Sequence, residues 1–382
     1  MKWYHFLVLF GEGLLLSCVL TPFLRSLAPR LGFLDHPGHR KVHSHPKPLL
    51  GGAAIFFSFV IILAVDLWIL LWIYHADIQP TSWFTRQLND LAFFASGVIH
   101  IINQLVALLL GGTVLFIIGL LDDRFGVHPL VKIGGQVLAS LILYLAKIQI
   151  ALFIELPLVN FLLTTFWIML ISNAFNLLDN MDGLSGGVAM ITLILLGIST
   201  YIVKEQGFMT AISFVLSGCI AGFLIYNIYP STIFMGDAGS LPIGYFVAAF
   251  TILSTFYLEG TSNSTSWSVV MPVVILAVPI FDTLSVILIR IKNRNPIYVG
   301  DKNHFSHRLV ALGMSQRRAV FFIHLTTLCV GSSALVLPLI EPFGAYIVLS
   351  QTIIFFILIA MLEYIKKKNH GEVSPDASPQ EK

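Results

Sequence analysis

The sequence predicts an all-α integral membrane protein. Of its 382 residues, 57% are hydrophobic and only 11% are charged, whereas a soluble domain carries about 25% charged residues. The mean hydropathy is +0.87, and the apolar residues occur in runs of about 20, the length that crosses a bilayer as a helix. These observations exclude a soluble enzyme, a secreted disulfide scaffold and a disordered protein.

Eleven apolar runs predict about eleven transmembrane helices. No small-residue cleavage site follows the first run, so we interpret it as an uncleaved anchor. The segment 75–102 contains Trp83 and Phe93 but also Arg86 and Asp90, which predicts an amphipathic outer loop. The predicted spans are 3–24, 51–74, 103–121, 132–148, 161–178, 185–203, 210–228, 240–258, 268–291, 318–340 and 345–365.

The distribution of Lys and Arg predicts the orientation of these helices. With the N-terminus outside, the inner segments and the tail carry 18 of the 22 Lys and Arg residues, in agreement with the positive-inside rule. The C-terminus is then cytosolic, residues 1–365 form one membrane domain, and the polar residues 366–382 form a disordered tail. The net charge of +2 gives no indication of nucleic-acid binding, and the three cysteines have neither disulfide nor metal-ligand spacing.

Polar residues gather in five runs, all on the predicted inner side. The first run contains Arg40, Lys41 and His43, and it is explained either by the positive-inside rule or by a loop that faces phosphate. In the second run, Asp122 and Asp123 precede Lys132. Pro129 suits a first helical turn, so Lys132 would lie beside the free N–H groups of a helix start, a typical anion site. Adjacent carboxylates repel each other, which indicates a bound metal, a proton or a cationic partner.

The third and fourth runs carry further carboxylates. In the third run, polar side chains recur every three residues and trace a curved stripe on a helix. These residues are Asn173, Asn176, Asp179 and Asp182. Interhelical hydrogen bonds explain the two asparagines, but they do not explain two aspartates at a bilayer edge. In the fourth run, Asp237 lies between glycines, where a plain turn is the alternative interpretation.

The fifth run predicts a helical face that suits phosphate oxygens. On a helix, Asp301, His304 and Arg308 would lie close together, with His307 beside them. Mg²⁺ prefers oxygen ligands and typically uses one or two carboxylates together with substrate phosphates, whereas no Cys or His spacing indicates zinc. The five runs therefore predict Mg²⁺-dependent phosphoryl transfer at a membrane face, with Mn²⁺ as a substitute metal.

Together the runs resemble the motifs of the polyprenyl-phosphate N-acetylhexosamine-1-phosphate transferases, glycosyltransferase family 4, of which the muramoyl-pentapeptide transferase is a cousin. Five motifs occur in order between residues 32 and 309, which makes the resemblance specific. The matching stretches are GFLDHPGHRKVHSHPKPLLGG (32–52), DDRFGVHPLVK (122–132), NAFNLLDNMDGLSGG (173–187), FMGDAGS (234–240) and DKNHFSHRL (301–309).

The resemblance implies a reaction and a location. A polyprenyl phosphate, such as undecaprenyl phosphate, attacks the sugar-bearing phosphorus of a UDP-N-acetylhexosamine, for which we expect N-acetylglucosamine, and UMP leaves. It also implies a multi-pass protein of the bacterial plasma membrane with a cytosolic active site, a tendency to form homodimers, and a bent ninth helix. Pro272 and Pro279 would supply that bend. Asp282 would then either reach the site or satisfy the backbone groups that Pro279 frees.

The resemblance also implies roles for individual residues. Asp237 and Asn176 match positions that hold Mg²⁺ on the diphosphate, while Phe234 matches the aromatic residue that stacks on uracil and Asp182 the residue that hydrogen-bonds it. Lys132, His307 and Arg308 match diphosphate-contacting positions. Asp122 and Asp123 match a pair assigned as base, nucleophile or orienter of the lipid phosphate. We add Asp179 and His304 as catalytic candidates, and Arg40, Lys41 and His43 as substrate-binding candidates.

Two positions depart from the family pattern. Asn180 stands where the family commonly has glycine, and Ser306 replaces the middle histidine of a His-x-His-His cluster. Asn tolerates a left-handed backbone, so we expect the turn at Asn180 to be retained. The loss of one imidazole argues against the muramoyl-pentapeptide branch and leaves the sugar open.

Two other functions agree less well with the pattern of polar residues. A UbiA-like prenyltransferase needs two separate Asn/Asp-rich motifs with a spacing near four, whereas only one run here approaches that pattern, and its spacing is three. A secondary transporter would place carboxylates near the bilayer midplane. In this sequence Glu12, Asp66 and Asp282 lie inside predicted spans, as does Glu363 near the inner end of the last one, whereas the carboxylates of the five runs lie at the inner edge.

Overall fold

A computed structural model describes residues 2–36, 45–76, 97–150, 156–202, 206–254, 270–294 and 303–371 of the chain. The described residues are helical apart from short connections and one pair of two-residue strands. The helices are α1 (Trp3–Leu31), α2 (Gly51–His75), α3 (Ile102–Phe125), α4 (Pro129–Leu145), α5 (Pro157–Leu178), α6 (Leu184–Ile202), α7 (Gly207–Asn227), α8 (Asp237–Leu253), α9 (Met271–Ile275), α10 (Ala277–Lys292), α11 (Phe305–Ala311), α12 (Gln316–Ser333) and α13 (Pro342–Gly371).

The structure supports the prediction of an all-α integral membrane protein. Every predicted span coincides with a helix over most of its length, and α9 and α10 together occupy the ninth. Within the described residues, eight helices are long and apolar enough to cross a membrane. Two further apolar helices, α4 and α8, have 17 residues each. Many large apolar side chains on the outer helices are exposed, as expected where the surrounding solvent is lipid.

Helix α8 lies at the centre of the bundle, packed between α3 and α5. Its side chains from Ala238 to Thr251 are all buried. Small residues allow the close approach of neighbouring helices, which is how helices associate where lipid replaces water. At the start of α2, a Cβ atom on Gly52 would overlap the backbone of Gly239 in α8. Close packing thus fixes the position of the α8 N-terminus, from which the site described below is built.

The ninth span is broken, as the two prolines predict. Helix α9 ends at Ile275, and Leu276 separates it from α10 with φ −94° and ψ 13°. Pro272 lies in the first turn of α9 and Pro279 in the first turn of α10, positions where a missing N–H costs little.

The structure extends several predicted spans and adds one element. Helix α1 continues to Leu31, past the predicted end at 24. Helix α13 continues to Gly371, past the predicted end at 365. Two predicted segments lie partly outside the described part of the chain: residues 372–382 of the predicted disordered tail and residues 77–96 of the predicted outer loop. Between α1 and α2, strand β1 (Leu34–Asp35) pairs antiparallel with β2 (Lys47–Pro48).

Candidate active site

The candidate site begins at the N-terminus of α8, which a carboxylate from another helix caps. Asp123, near the end of α3, accepts hydrogen bonds from the backbone N–H of Asp237 (2.8 Å) and of Ala238 (3.0 Å). The first N–H groups of a helix have no partner within the helix, and the positive end of the helix dipole favours an anion there. Gly236 makes this contact possible, because its φ is +69° and a Cβ atom would lie 2.5 Å from the Asp123 Oδ2 atom.

The side chain of Asp237 is the centre of a polar network. Its Oδ1 accepts a hydrogen bond from Asn176 Nδ2 at 2.8 Å, and its Oδ2 accepts one from Lys132 Nζ at 2.5 Å. Lys132 also lies 2.7 Å from Asp122 Oδ2, and Asn176 Nδ2 is 2.9 Å from Ser240 Oγ. Residues from three separate predicted runs therefore meet at one point.

The turn between α3 and α4 places Lys132 in this network. Gly126 ends α3 in a left-handed conformation, and Pro129 begins α4 at its first helical position, as predicted. The Asp122 Oδ1 atom accepts a hydrogen bond from Val127 N at 2.9 Å. The turn is held closed, so the first turn of α4 faces the end of α3.

Helix α5 ends beside the same cluster and adds another carboxyl group. Asp179 follows the last residue of α5 as its C-cap. The pKa of Asp179 is raised to about 7, mainly by removal from water and also by the negative charges of Asp237 and Asp182, while a hydrogen bond from the Gly236 N–H partly opposes the shift. The curved helical stripe predicted for this run extends only as far as Asn176, because the chain turns after Leu178.

The charge balance of the cluster fits a divalent cation. Asp122 and Asp237 both pair with the ammonium group of Lys132, and the carboxyl groups of Asp123 and Asp179 lie close enough to Asp237 to interact with its charge. Among the described residues, Lys132 is the one ammonium group paired with this set of four carboxyl groups, and the site is partly removed from water. Within the described residues no three His, Cys, Asp or Glu side chains form a metal cage by themselves. A Mg²⁺ ion needs none, because it typically takes one or two carboxylates and completes its shell with phosphate and water oxygens. The adjacent Asp237 carboxylate and Asn176 amide match that chemistry.

A second group of residues lies beside the cluster and includes an aromatic ring. The backbone of Phe234 bonds with the N-terminal loop: its N–H donates to Pro48 O (2.8 Å) and its carbonyl accepts from Gly51 N (3.0 Å). Lys47 Nζ lies 4.7 Å from the centre of the Phe234 ring, donates to Ser231 Oγ at 2.8 Å, and is 3.9 Å from Asp182 Oδ2.

Asp182 is held by the same segment as the ring. Its Oδ2 accepts a hydrogen bond from Ser231 N at 2.9 Å, and the next residue, Gly183, turns the chain with φ +74°. An aromatic face, a carboxylate and an ammonium group thus lie together, which suits a planar polar ring with hydrogen-bonding edges.

A third group forms around α11, and here one expectation was wrong. His304 is not on a helical face; it is the N-cap of α11, in an extended conformation. Its Nδ1 atom pairs with Asp282 Oδ2 at 3.0 Å, and Asp282 Oδ1 accepts from Phe305 N at 2.6 Å. Asp282 therefore caps the start of α11 by accepting the N–H of its first residue, Phe305, so the helix begins after His304 and does not include it. Asp301 lies outside the described residues.

Arg308 contacts neighbouring helices rather than the Asp237 cluster. Its Nε atom is 3.1 Å from Glu363 Oε2 in α13, and its Nη2 atom donates to Ser285 Oγ at 2.8 Å. His307 lies on the same short helix, with its ring centroid 6.5 Å from that of His304. The assigned roles of Arg308 and His307 in binding diphosphate stay predictions.

The structure brings some of the predicted site residues together and adds residues that the sequence did not indicate. It brings together Asp122, Asp123, Lys132, Asn176, Asp179 and Asp237, while Arg40, Lys41 and His43 lie outside the described residues. Sequence reasoning missed Lys47 and Ser240, since a lysine in an inner loop or a serine in a helix carries no distinguishing signal. Asp282 carried a signal, a carboxylate inside an apolar span, and the structure gives it partners in the α11 segment.

Comparison with known proteins gives the family. The family model for glycosyl transferase family 4 matches residues 105–255. The chain is 32% identical over 366 residues to a probable undecaprenyl-phosphate N-acetylglucosaminyl 1-phosphate transferase of Bacillus subtilis, covering 93% of this chain and 89% of the relative. It is 27% identical to the decaprenyl-phosphate N-acetylglucosaminephosphotransferase of Mycolicibacterium smegmatis, covering 93% and 87%.

A more distant relative agrees with these two. The chain is 25% identical to the undecaprenyl-phosphate alpha-N-acetylglucosaminyl 1-phosphate transferase of Salmonella typhi, covering 81% of this chain and 78% of the relative. The similarity extends far beyond the polar runs and includes most of the helices. The chain therefore belongs to glycosyl transferase family 4, among the polyprenyl-phosphate N-acetylglucosamine-1-phosphate transferases.

Proposed function

We propose that this protein transfers N-acetylglucosamine-1-phosphate from UDP-N-acetylglucosamine to undecaprenyl phosphate. A lipid phosphate oxygen forms a bond to the sugar-bearing phosphorus, the bond from that phosphorus to the bridging oxygen breaks, and UMP leaves with that oxygen. The observation that carries this proposal is the meeting of Asp237, Asn176 and Lys132 at the α8 N-terminus. Relatives named for this transfer, similar over most of their length, support it.

Each group of residues suits one part of the two substrates. The Phe234 ring, Lys47 and Asp182 form a place for the uracil base, which stacks on aromatic rings and offers hydrogen-bonding edges. Lys132 supplies positive charge for the diphosphate. Asp237 and Asn176 would hold Mg²⁺, or Mn²⁺ in its place, and the ion would neutralise charge on the phosphates when bound.

The structure favours a supporting role for Asp123 over a role as attacking group. Both of its carboxylate oxygens accept N–H groups from α8, so they fix the helix that carries Asp237. A phosphate monoester has a second pKa of roughly 6 and is mostly dianionic at neutral pH, so a lipid phosphate needs no strong base to become a nucleophile. Positioning and charge neutralisation then supply the catalysis, as in other phosphoryl transfers.

The site is proposed to face the cytosol, in a protein with eleven spans and an outer N-terminus. The inner segments defined by this topology hold 18 of the 22 Lys and Arg residues. Cysteine variants test it: Lys204→Cys should react with an impermeant maleimide added outside intact cells, whereas Arg317→Cys should not. Protection at 204 together with labelling at 317 would contradict the topology.

The transfer itself has a direct assay. Purified protein receives Mg²⁺, undecaprenyl phosphate and UDP-N-acetylglucosamine labelled in the sugar. We expect the label to become extractable into organic solvent, with one UMP released for each labelled lipid. The proposal is wrong if no labelled lipid forms with this donor or with a panel of other UDP-sugars.

The two other functions receive no support from particular contacts. A transporter would hold its carboxylates near the middle of broken helices, whereas the Asp237 cluster lies at helix ends. A UbiA-like prenyltransferase would need a second Asn/Asp-rich motif opposite the first. In the described residues the carboxylates that other helices bring to this cluster are the adjacent pair Asp122 and Asp123 on α3 and the single Asp237 on α8, which do not form such a motif.

A further inference from the structure

The loop after α5 and the start of α11 are joined by one side-chain hydrogen bond. Ser306 Oγ donates to Asn180 Oδ1 at 2.6 Å, and Ser306 is only 1% exposed. The Asn180 Nδ2 atom donates to the carbonyl of Leu177 at 2.7 Å. Since an amide nitrogen only donates and a carbonyl only accepts, this second bond fixes which end of Asn180 faces Ser306.

The two partners are the two residues at which the sequence analysis found a difference from the motifs that the chain resembles. Asn180 replaces a glycine, which has no side chain, and Ser306 replaces a histidine. If Asn180 alone were introduced, its amide oxygen would need another partner; if Ser306 alone were introduced, a buried hydroxyl would lack its acceptor. Each residue satisfies the other, so the two departures form a single contact.

This contact holds a segment that is already fixed on its other side. Asp282 of α10 binds the ring of His304 and the N–H of Phe305, while Asn180 binds Ser306 from the loop after α5. The first turn of α11 is therefore fixed between two parts of the protein. His307 follows Ser306 directly, and Asp179 and Asp182 flank Asn180 closely in the loop.

We infer that Asn180 and Ser306 form a positioning pair that sets the placement of His307 relative to the carboxylates of Asp179 and Asp182. The inference deepens the proposed function and rests on it, because placement matters only where substrate lies between these groups. Neither residue is assigned contact with the reacting atoms. The pair acts through His307 and the loop, and it uses neutral groups where the family pattern has an imidazole.

A double-mutant cycle tests the pair. Ser306→Ala, Asn180→Ala and the double variant are purified, and kcat and KM for UDP-N-acetylglucosamine are measured per folded molecule. Loss of one hydrogen bond that aligns reacting groups should lower kcat roughly three- to thirtyfold and change KM less than about twofold. Because both variants break the same contact, the double variant should be no slower than the slower single variant.

A matched control distinguishes positioning from general stability. Ser140 in α4 and Thr165 in α5 form another buried hydroxyl contact, at 2.9 Å, away from the site. Ser140→Ala should lower the unfolding temperature but leave kcat per folded molecule unchanged. If Ser306→Ala behaves in the same way, the pair is merely structural and the inference is wrong.

A reciprocal exchange sharpens the test. Ser306→His forces an imidazole against Asn180 in a buried place, so it should be more damaging than Ser306→Ala. Adding Asn180→Gly removes the obstructing side chain and should recover roughly tenfold or more of the lost kcat. The inference would be overturned if, in either double variant, the losses of kcat from the two single substitutions multiplied as independent effects. A raised KM with an unchanged kcat would also overturn it. An inactive wild type would overturn the proposed function as well, whereas an active wild type with unaffected single variants would overturn this inference alone.

Discussion

Replacing Gly236 by alanine tests whether the capped start of α8 is what makes the site competent. The substitution changes none of the side chains that are proposed to bind the substrates. However, Gly236 has φ +69° and ψ 179°, a region that is essentially restricted to glycine and costs other residues roughly 1–3 kcal/mol. The new Cβ atom would also lie 2.5 Å from Asp123 Oδ2 and 2.8 Å from Asp123 Oδ1, far inside contact distance.

The magnitude follows from the contacts that must give way. To relieve the overlap, Asp123 has to leave the N–H groups of Asp237 and Ala238, and hydrogen bonds to a charged group contribute roughly 1.5–3 kcal/mol each. Water compensates for part of the two lost hydrogen bonds. We therefore take about 3 kcal/mol as the free energy by which the substitution disfavours the arrangement in which Asp123 caps α8. At about 1.4 kcal/mol for each factor of ten, this disfavours the arrangement by roughly 100-fold or more.

The assay is transfer of labelled sugar phosphate to undecaprenyl phosphate, measured per folded molecule after gel filtration in detergent. We expect Gly236→Ala to lower kcat/KM by about 100-fold. Gly134→Ala is the matched control, because Gly134 lies in α4, close to Lys132, and a Cβ atom there meets nothing within 4 Å; it should retain full activity. Activity of Gly236→Ala within about fivefold of the wild type would refute the link between the Asp123 cap and catalysis.

Three further predictions concern the substrates and the metal. Asp237→Ala should abolish turnover while the protein still inserts and folds, because Asn176 and Lys132 lose their common partner; folded protein with near-wild-type transfer would show that the site is assigned incorrectly. Phe234→Ala should weaken UDP-sugar binding by about 1–3 kcal/mol, the value of base–aromatic stacking, and an unchanged KM for the nucleotide sugar would contradict this role. Removal of divalent metal with EDTA should stop transfer, and added Mg²⁺ or Mn²⁺ should restore it; full activity in EDTA would exclude the proposed ion.

The site residues show how far sequence reasoning extends. Asp122, Asp123, Asn176 and Asp237 could be found because carboxylates and amides are conspicuous at the ends of apolar runs. Their convergence was a consequence of the topology, since helix ends on the same side of a membrane can meet. The contacts themselves were not predictable: nothing in the sequence indicates that Asp123 would cap α8 rather than face solvent.

Residues near α11 show where the prediction was less successful. The spacing of His304 and Arg308 suggested one helical face, but the helix begins after His304 because Asp282 binds the Phe305 N–H. Arg308 suits phosphate by its chemistry, yet its guanidinium bonds with Glu363 and Ser285. Both outcomes depend on partners in α10 and α13, which spacing within one run cannot reveal.

The amino-acid sequence by itself determined that the chain is a helical membrane protein, where its helices run, and which ends collect polar groups. These properties follow from hydropathy and charge, which act locally along the chain. Tertiary structure alone decided which of those groups touch, because such contacts as Asp123 with the start of α8, Lys47 with Phe234 and Asn180 with Ser306 join segments more than 100 residues apart. Packing of the helices around α8 sets those distances, and no short-range pattern encodes them.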